Sequence, residues 1–368
     1  MTTREDAVWQ PDVLGSGFEC LELPLAQDTE GAVVATLVRH RVQAGTPAGT
    51  PGPGRRPEGG GPLAAALRRR LCPDDAGPAA SPAPAAPPQA ILYLHGWADY
   101  FLQAELAEHL GAEGLHFYAL DLRKFGRSLR DWQSPGDISD LADYDEDIAA
   151  AMAAIAADLA LRTGRADAPA VHLVAHSFGG LVAALWAERH PGELATLILN
   201  APWLELQGSS LIRTIATRLV DLLARTDPHQ SFRLPNMPGY WESVSREAHG
   251  EWELDPRWRP TASFPIRAGW TKAVLAGHAL VEGKLDIQEP VLIMLAGRTR
   301  IQAEWSEELM GVDAVIDVEE TARRALGLGR RTSIYRYPGA IHDIFLSRRG
   351  IRREAYRDLV QWLRACPG

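Results

Sequence analysis

"VHLVAHSFGG", residues 171–180, runs from an apolar strand into a histidine, a serine, an aromatic and two glycines. A chain that leaves a buried strand and enters a helix within one residue needs small neighbours, because strand and helix backbones approach closely there. Ala175 and Gly179 stand two positions before and after Ser177, and Gly180 follows. Such a turn projects the Ser177 hydroxyl away from the backbone and places it at a helix N-terminus, where free amides and partial positive charge collect. A nucleophilic serine needs those conditions, plus a base within reach. The alternative reading is an N-cap for the following helix. A cap requires no small flanking residues, so the turn favours the nucleophile. His176 is expected to pack at the turn, since adjacent side chains leave it in different directions.

The stretches around this turn alternate regularly. "AILYLHG" from residue 90 is a continuous apolar run, "FLQAELAEHLGAEG" has helical spacing with a glycine stop, and "LHFYALDLR" is again apolar. A long helix over 141–164, the strand before Ser177, the helix after it and the strand "LATLILNAP" continue the rhythm. "PVLIMLAG" (290–297), "TSIYRYPG" (332–339) and a terminal helix over 353–366 complete it. Apolar strands alternating with helices indicate a mostly parallel sheet covered on both faces. Upstream, "FECLELPL" (18–25) and "AVVATLVRHR" (32–41) read as a hairpin.

Two segments break the pattern. Residues 44–89 hold eleven prolines and eight glycines among 46 residues, too few apolar groups to offset ordering, and read as a flexible insertion. Residues 203–285 carry five of the eleven tryptophans and helical pieces such as "SSLIRTIATRLVDLLART", which reads as a cap with an apolar inner wall. The expected organisation is N-terminal strands 1–43, insertion 44–89, core 90–202, helical cap 203–285 and core 286–368.

Composition narrows the class. Hydrophobic residues make up 46% and charged ones 23%, an ordinary globular balance, and the net charge of −9 argues against nucleic-acid binding. The basic runs 68–70 and 348–353 read as solvated helix faces. Cys20, Cys72 and Cys366 lack metal spacing and read as reduced thiols. The amino terminus is acidic where a signal peptide is basic, and no stretch reaches membrane-spanning length, so the expected location is cytoplasmic.

Four motifs in order, each at the end of an expected strand, are "LHGWADYF" (94–101), "LDLRKFGRS" (120–128), "AHSFGG" (175–180) and "GAIHD" (339–343). With them the chain resembles the α/β-hydrolase family, in its serine aminopeptidase and monoacylglycerol lipase-like (lysophospholipase-like) branch, over most of residues 90–366. The resemblance implies an α/β-hydrolase fold with an inserted cap. It also implies Ser177 as nucleophile, His342 as base, and the amides of Trp97 and Phe178 as an oxyanion hole. His95 and His278 are the lesser candidates among eleven histidines.

The acid is displaced from where the resemblance puts it. After "VLIMLAG" comes "RTRIQAEWSEELMGVDAVIDVEE", with no aspartate before Asp313. Either about one helix is inserted there or another carboxylate is recruited. "VDAVIDVEETARRA" resembles the acid-bearing turn of the family, placing Asp313 first and Asp317 second, with helix-start electrostatics as the other role for Asp317. Asp121, Arg123, Gly126 and Ser128 are expected to shape their loop, Arg123 pairing with Asp121 or a backbone carbonyl. Trp97 is expected to wall the pocket or pack against the cap, and Trp203, Trp241 and Trp270 to contact substrate.

The implied activity is a serine hydrolase cleaving a mono-acyl lipid or small carboxylic ester, without metal or organic cofactor. The alternatives are an acyltransferase or aminopeptidase with the same triad, Glu205, Glu242, Glu247, Glu251 and Glu253 being available for an amino terminus, or a non-catalytic ligand-binding protein on the same fold. Acyl length and oligomeric state are not legible in the sequence.

Overall fold

A computed structural model describes residues 8–41, 86–205, 223–232, 238–302 and 304–366. The insertion expected over 44–89, with its "RRR" run and Cys72, lies almost wholly outside these residues, as does most of "SSLIRTIATRLVDLLART".

Strands β1 (Gln10–Pro11), β2 (Phe18–Asp28) and β3 (Gly31–His40) form the antiparallel edge, and β2 and β3 are the expected hairpin. Then follow β4 (Gln89–Leu94), α1 (Ala104–Ala112), β5 (His116–Asp121), α2 (Tyr144–Thr163), β6 (Ala170–His176), α3 (Phe178–Arg189) and β7 (Thr196–Asn200). The cap region contributes β8 (Ser231–Phe232), α4 (Gly239–Val244), β9 (Ile266–Arg267) and α5 (Ala268–Glu282). The chain closes with β10 (Val291–Ala296), α6 (Val318–Ala325), β11 (Thr332–Tyr337) and α7 (Arg349–Ala365).

The nine-stranded sheet has the order β1-β2-β3-β5-β4-β6-β7-β10-β11, parallel from β5 onward. Its middle strands are mostly apolar because both faces are covered: every residue of β7 and β10 is buried. Each such Leu, Ile or Val removed from water contributes roughly 1.5–3 kcal/mol. This is the mostly parallel, doubly covered sheet that the alternation implied, and the α/β-hydrolase architecture that the resemblance implied. No helix among the described residues is long and apolar enough to cross a membrane.

The parallel strands end on one edge, where an open α/β sheet presents its ligand crevice. β4 ends before His95, β6 before Ser177, β7 at Asn200, β10 before Gly297 and β11 shortly before His342. The cap packs over this edge: Trp270 of α5 is 2% exposed and joins the main core, whereas Val244 of α4 joins a smaller one.

Some surface expectations change. Arg352, in the basic run 348–353, is buried rather than solvated; it pairs with Glu105 and Glu251 at 2.8 Å each, and its guanidinium lies over the Trp252 ring. Cys20 and Cys366 are free thiols.

Candidate active site

Ser177 sits at φ 51°, ψ −116°, between the last residue of β6 and the first of α3. A positive φ costs a side-chain-bearing residue roughly 1–3 kcal/mol, so the surroundings must impose it. They do so with backbone bonds: the Ser177 amide donates to Asn200 O at 3.1 Å, and Ser177 O accepts from Gly180 at 2.9 Å and Trp203 at 3.0 Å. A methyl on Gly179 would lie 2.2 Å from His95 O, and one on Gly180 2.7 Å from Pro202 Cβ. Ala175, fully buried in β6, is accommodated where the usual turn has glycine.

His342 reaches this serine. Its Nε2 lies 2.9 Å from Ser177 Oγ, and its Nδ1 lies 2.9 Å from Asp313 Oδ2. A carboxylate only accepts, so Nδ1 carries the hydrogen and Nε2 is left with a lone pair facing the hydroxyl. The second Asp313 oxygen accepts the Val315 and Ile316 amides at 2.8 and 2.9 Å. Asp313 is fully buried and His342 is 2% exposed, so water competes little with these bonds.

Asp313 arrives by an inserted excursion. β10 ends at Ala296, a 3-10 turn spans Glu307–Gly311, and a single parallel bridge joins Thr299 to Asp313. Asp317 instead caps α6, its Oδ1 accepting the Glu319 and Glu320 amides at 3.0 Å each.

Three other buried histidines are held by backbone groups. His95 accepts the Leu122 amide at Nε2 (3.1 Å) and donates from Nδ1 to Gly96 O (2.7 Å), tying together the loops after β4 and β5. His176 donates to Asn200 O and packs against the His342 ring at 4.8 Å, and burial lowers its pKa. His278 binds Trp203 O, and burial pushes its pKa down to about 4.

Gly96 lies against the serine turn: a methyl there would be 3.3 Å from Ser177 Cβ. Neither the Trp97 nor the Phe178 amide has a partner among the described residues. The Trp97 ring stands 4.0 Å from that of Trp270 and edge-on to Phe178, with Trp203 stacked on the far partner at 6.1 Å from Trp270. Trp97, Trp203 and Trp270 thus form one aromatic group beside Ser177. Trp241 stands apart, donating its indole N–H to Arg259 O at 3.3 Å.

The loop after β5 corrects one pairing. Asp121 accepts the Phe101 and Arg127 amides and the Arg127 guanidinium, all at 2.8–2.9 Å. Arg123 turns the other way, to Asp147 and Glu146 at 2.6 Å. Gly126, at φ 48°, sets this choice: a methyl there would lie 2.4 Å from Asp121 Oδ2, so only glycine lets the loop fold Arg127 over the carboxylate.

Several supporting groups escaped the sequence reading. Asn200 donates to Asp343 Oδ1 at 2.7 Å and accepts the Ile344 amide, joining the serine turn to the histidine turn. Gln103 donates to the other Asp343 oxygen at 2.8 Å. The visible signal was a polar residue ending the apolar run "LATLILN". A cavity of about 580 Å³ lies elsewhere, and its charged walls pair internally, Arg352 with Glu105 and Glu251, and Arg246 with Glu253.

The chain is similar to known proteins over most of its length. The family model described as serine aminopeptidase, S33 matches residues 85–348. Lysophospholipase L2 of Escherichia coli is 25% identical over 279 residues, 72% of this chain and 76% of that protein. Monoacylglycerol lipase of Mycolicibacterium smegmatis is 24% identical over 260 residues, 69% of this chain and 81% of that one. A solved structure of a soluble variant of monoglyceride lipase from Saccharomyces cerevisiae, with a substrate analogue, aligns at TM-score 0.59 and 15% identity, covering 92% and 93% of the two chains. With the family model spanning most of its length, the chain belongs to the serine aminopeptidase, S33 family of α/β-hydrolases and is a serine hydrolase.

Proposed function

We propose that the protein hydrolyses carboxylic esters, of mono-acyl lipids or similarly small molecules, through an acyl-enzyme on Ser177. His342 Nε2 takes the hydroxyl proton as Ser177 Oγ bonds to the ester carbonyl carbon, and Asp313 orients the imidazole and offsets its developing charge. The amides of Trp97 and Phe178 donate to the oxyanion. The carbon–oxygen bond to the alcohol breaks, and the alcohol leaves with the proton from His342. Water then attacks the acyl carbon, giving a proton to His342, and the acid departs as Ser177 recovers its hydrogen. So written, the reaction needs no metal or organic cofactor.

The observation that carries this reading is the buried relay from Asp313 through His342 to Ser177, with both contacts at 2.9 Å. The aromatic group of Trp97, Trp203 and Trp270 supports an apolar acyl chain, as do the names of the relatives. Three of the five acids named for an amino terminus are engaged elsewhere, Glu205 with Arg324, Glu251 with Arg352 and Glu253 with Arg246, while Glu242 keeps a buried carboxylate oxygen without a hydrogen-bond partner among the described residues.

The test is labelling of the folded protein with a fluorophosphonate, followed by turnover of nitrophenyl esters of increasing chain length beside an aminoacyl-anilide. The expected result is one adduct on Ser177 and faster turnover of esters than of the anilide. A folded protein that takes no label there, or that prefers the anilide, overturns the proposal.

A further inference from the structure

The cap segment 238–259 touches both loops that carry the site. Its Val244 shares a satellite core with Tyr100 and Leu102, just past Trp97, and with Ile341 and Leu346, on either side of His342. Beside that core, Arg259 donates to Asp99 at 2.7 Å, both side chains being less than a tenth exposed. A buried ion pair of this kind fixes geometry, since neither charge can move off its partner without being left in an apolar setting.

The Arg259 guanidinium also lies over the Tyr240 ring, 5.3 Å from its centre. That ring in turn stands edge-on to the His342 imidazole, with centres 5.3 Å apart and planes at 86°. The Tyr240 hydroxyl is buried and interacts with the Arg259 guanidinium, not with His342. What Tyr240 offers His342 is therefore its ring.

We propose that Tyr240 is a positioning residue, through which the cap holds the His342 imidazole in line with Ser177, and that the Arg259–Asp99 pair registers that ring against the loop bearing Trp97. The proposal rests on the reading of His342 as base. An imidazole free to tilt keeps its bond to Asp313 but loses alignment with the hydroxyl, and misplacement by about 1 Å costs on the order of a hundredfold in rate. Substrate binding, which uses other surfaces, is affected little.

The test is the split between kcat and KM on a short nitrophenyl ester, using the full chain. Tyr240→Ala is expected to lower kcat by ten- to a hundredfold with KM within about threefold, and Tyr240→Phe to stay within about twofold of the parent in both. Should Tyr240→Ala fail to fold, Tyr240→Leu carries the test, and a kcat at least threefold lower supports the proposal. His342→Ala separates the two levels. If it retains turnover, the reading of His342 falls and this proposal with it. If it is inactive while the folded Tyr240 variants keep the parent's kcat, or change only KM, the positioning role alone is overturned.

Discussion

Thr299 and Asp313 are joined by a single parallel bridge, which brings a carboxylate from well beyond β10 back beside the end of that strand. The bridge consists of two backbone bonds, the Asp313 amide donating to Arg298 O and the Arg300 amide to Asp313 O. The segment between them can therefore be longer than a simple strand-to-acid turn without moving the acid away from His342.

This placement separates two neighbouring aspartates by what each would lose. Asp313→Asn puts an amide where His342 Nδ1–H needs an acceptor and invites the wrong tautomer, so kcat should fall on the order of 10³–10⁴-fold with the fold retained. Asp317→Ala removes a cap from α6 and should cost about 1 kcal/mol of stability while kcat stays within a few fold. Ester turnover and urea midpoints on both variants check this, and a larger kcat loss at Asp317 would refute the assignment of Asp313.

The backbone at Ser177 makes a prediction that runs against ordinary intuition about glycine. At φ 51° a side chain is strained whether it is serine or alanine, whereas glycine has no Cβ to clash. Ser177→Gly and Ser177→Ala should both be inactive, but the glycine variant should be more stable than the alanine variant by about 1 kcal/mol, even after its greater freedom when unfolded. Urea denaturation of the pair decides it; an alanine variant equal to or more stable than the glycine variant would mean that the turn stores no strain at this residue.

What was legible in the sequence is what is encoded locally. The serine turn needs small residues at fixed offsets because His95 O and Pro202 crowd Gly179 and Gly180, and the alternation of apolar strands follows from a sheet covered on both faces. Contacts set by the meeting of distant segments were not legible. Trp241 was expected to face substrate, yet the ring beside His342 belongs to Tyr240, its neighbour on a short helix. Adjacent helical positions diverge by about 100°, and packing alone decides which one points inward. Arg123 and Arg127 show the same limit within one loop: both could reach Asp121, and the turn at Gly126 selects the second. Asn200, Asp99 and Arg259 act across separations that no local spacing records.

The buried histidines that take no part in the relay give the protein a pH dependence of stability. His278 is 7% exposed, and burial depresses its pKa from 6.5 to about 4. Between those values the unfolded chain binds a proton that the native state refuses, so the contribution of His278 is complete above pH 6.5 and is lost as pH falls toward 4. At pH 5 the loss is about 2 kcal/mol for this one residue. His172, held between Thr196 and Gln89 and likewise depressed to about 4, acts in the same direction. His278→Gln keeps a donor for Trp203 O and does not titrate, so the stability difference between pH 7 and pH 5 should shrink by about 2 kcal/mol in that variant. Guanidinium or urea unfolding at the two pH values measures it. An unchanged difference would mean that His278 is protonated in the native state at pH 5, which its buried position against Trp203 argues against.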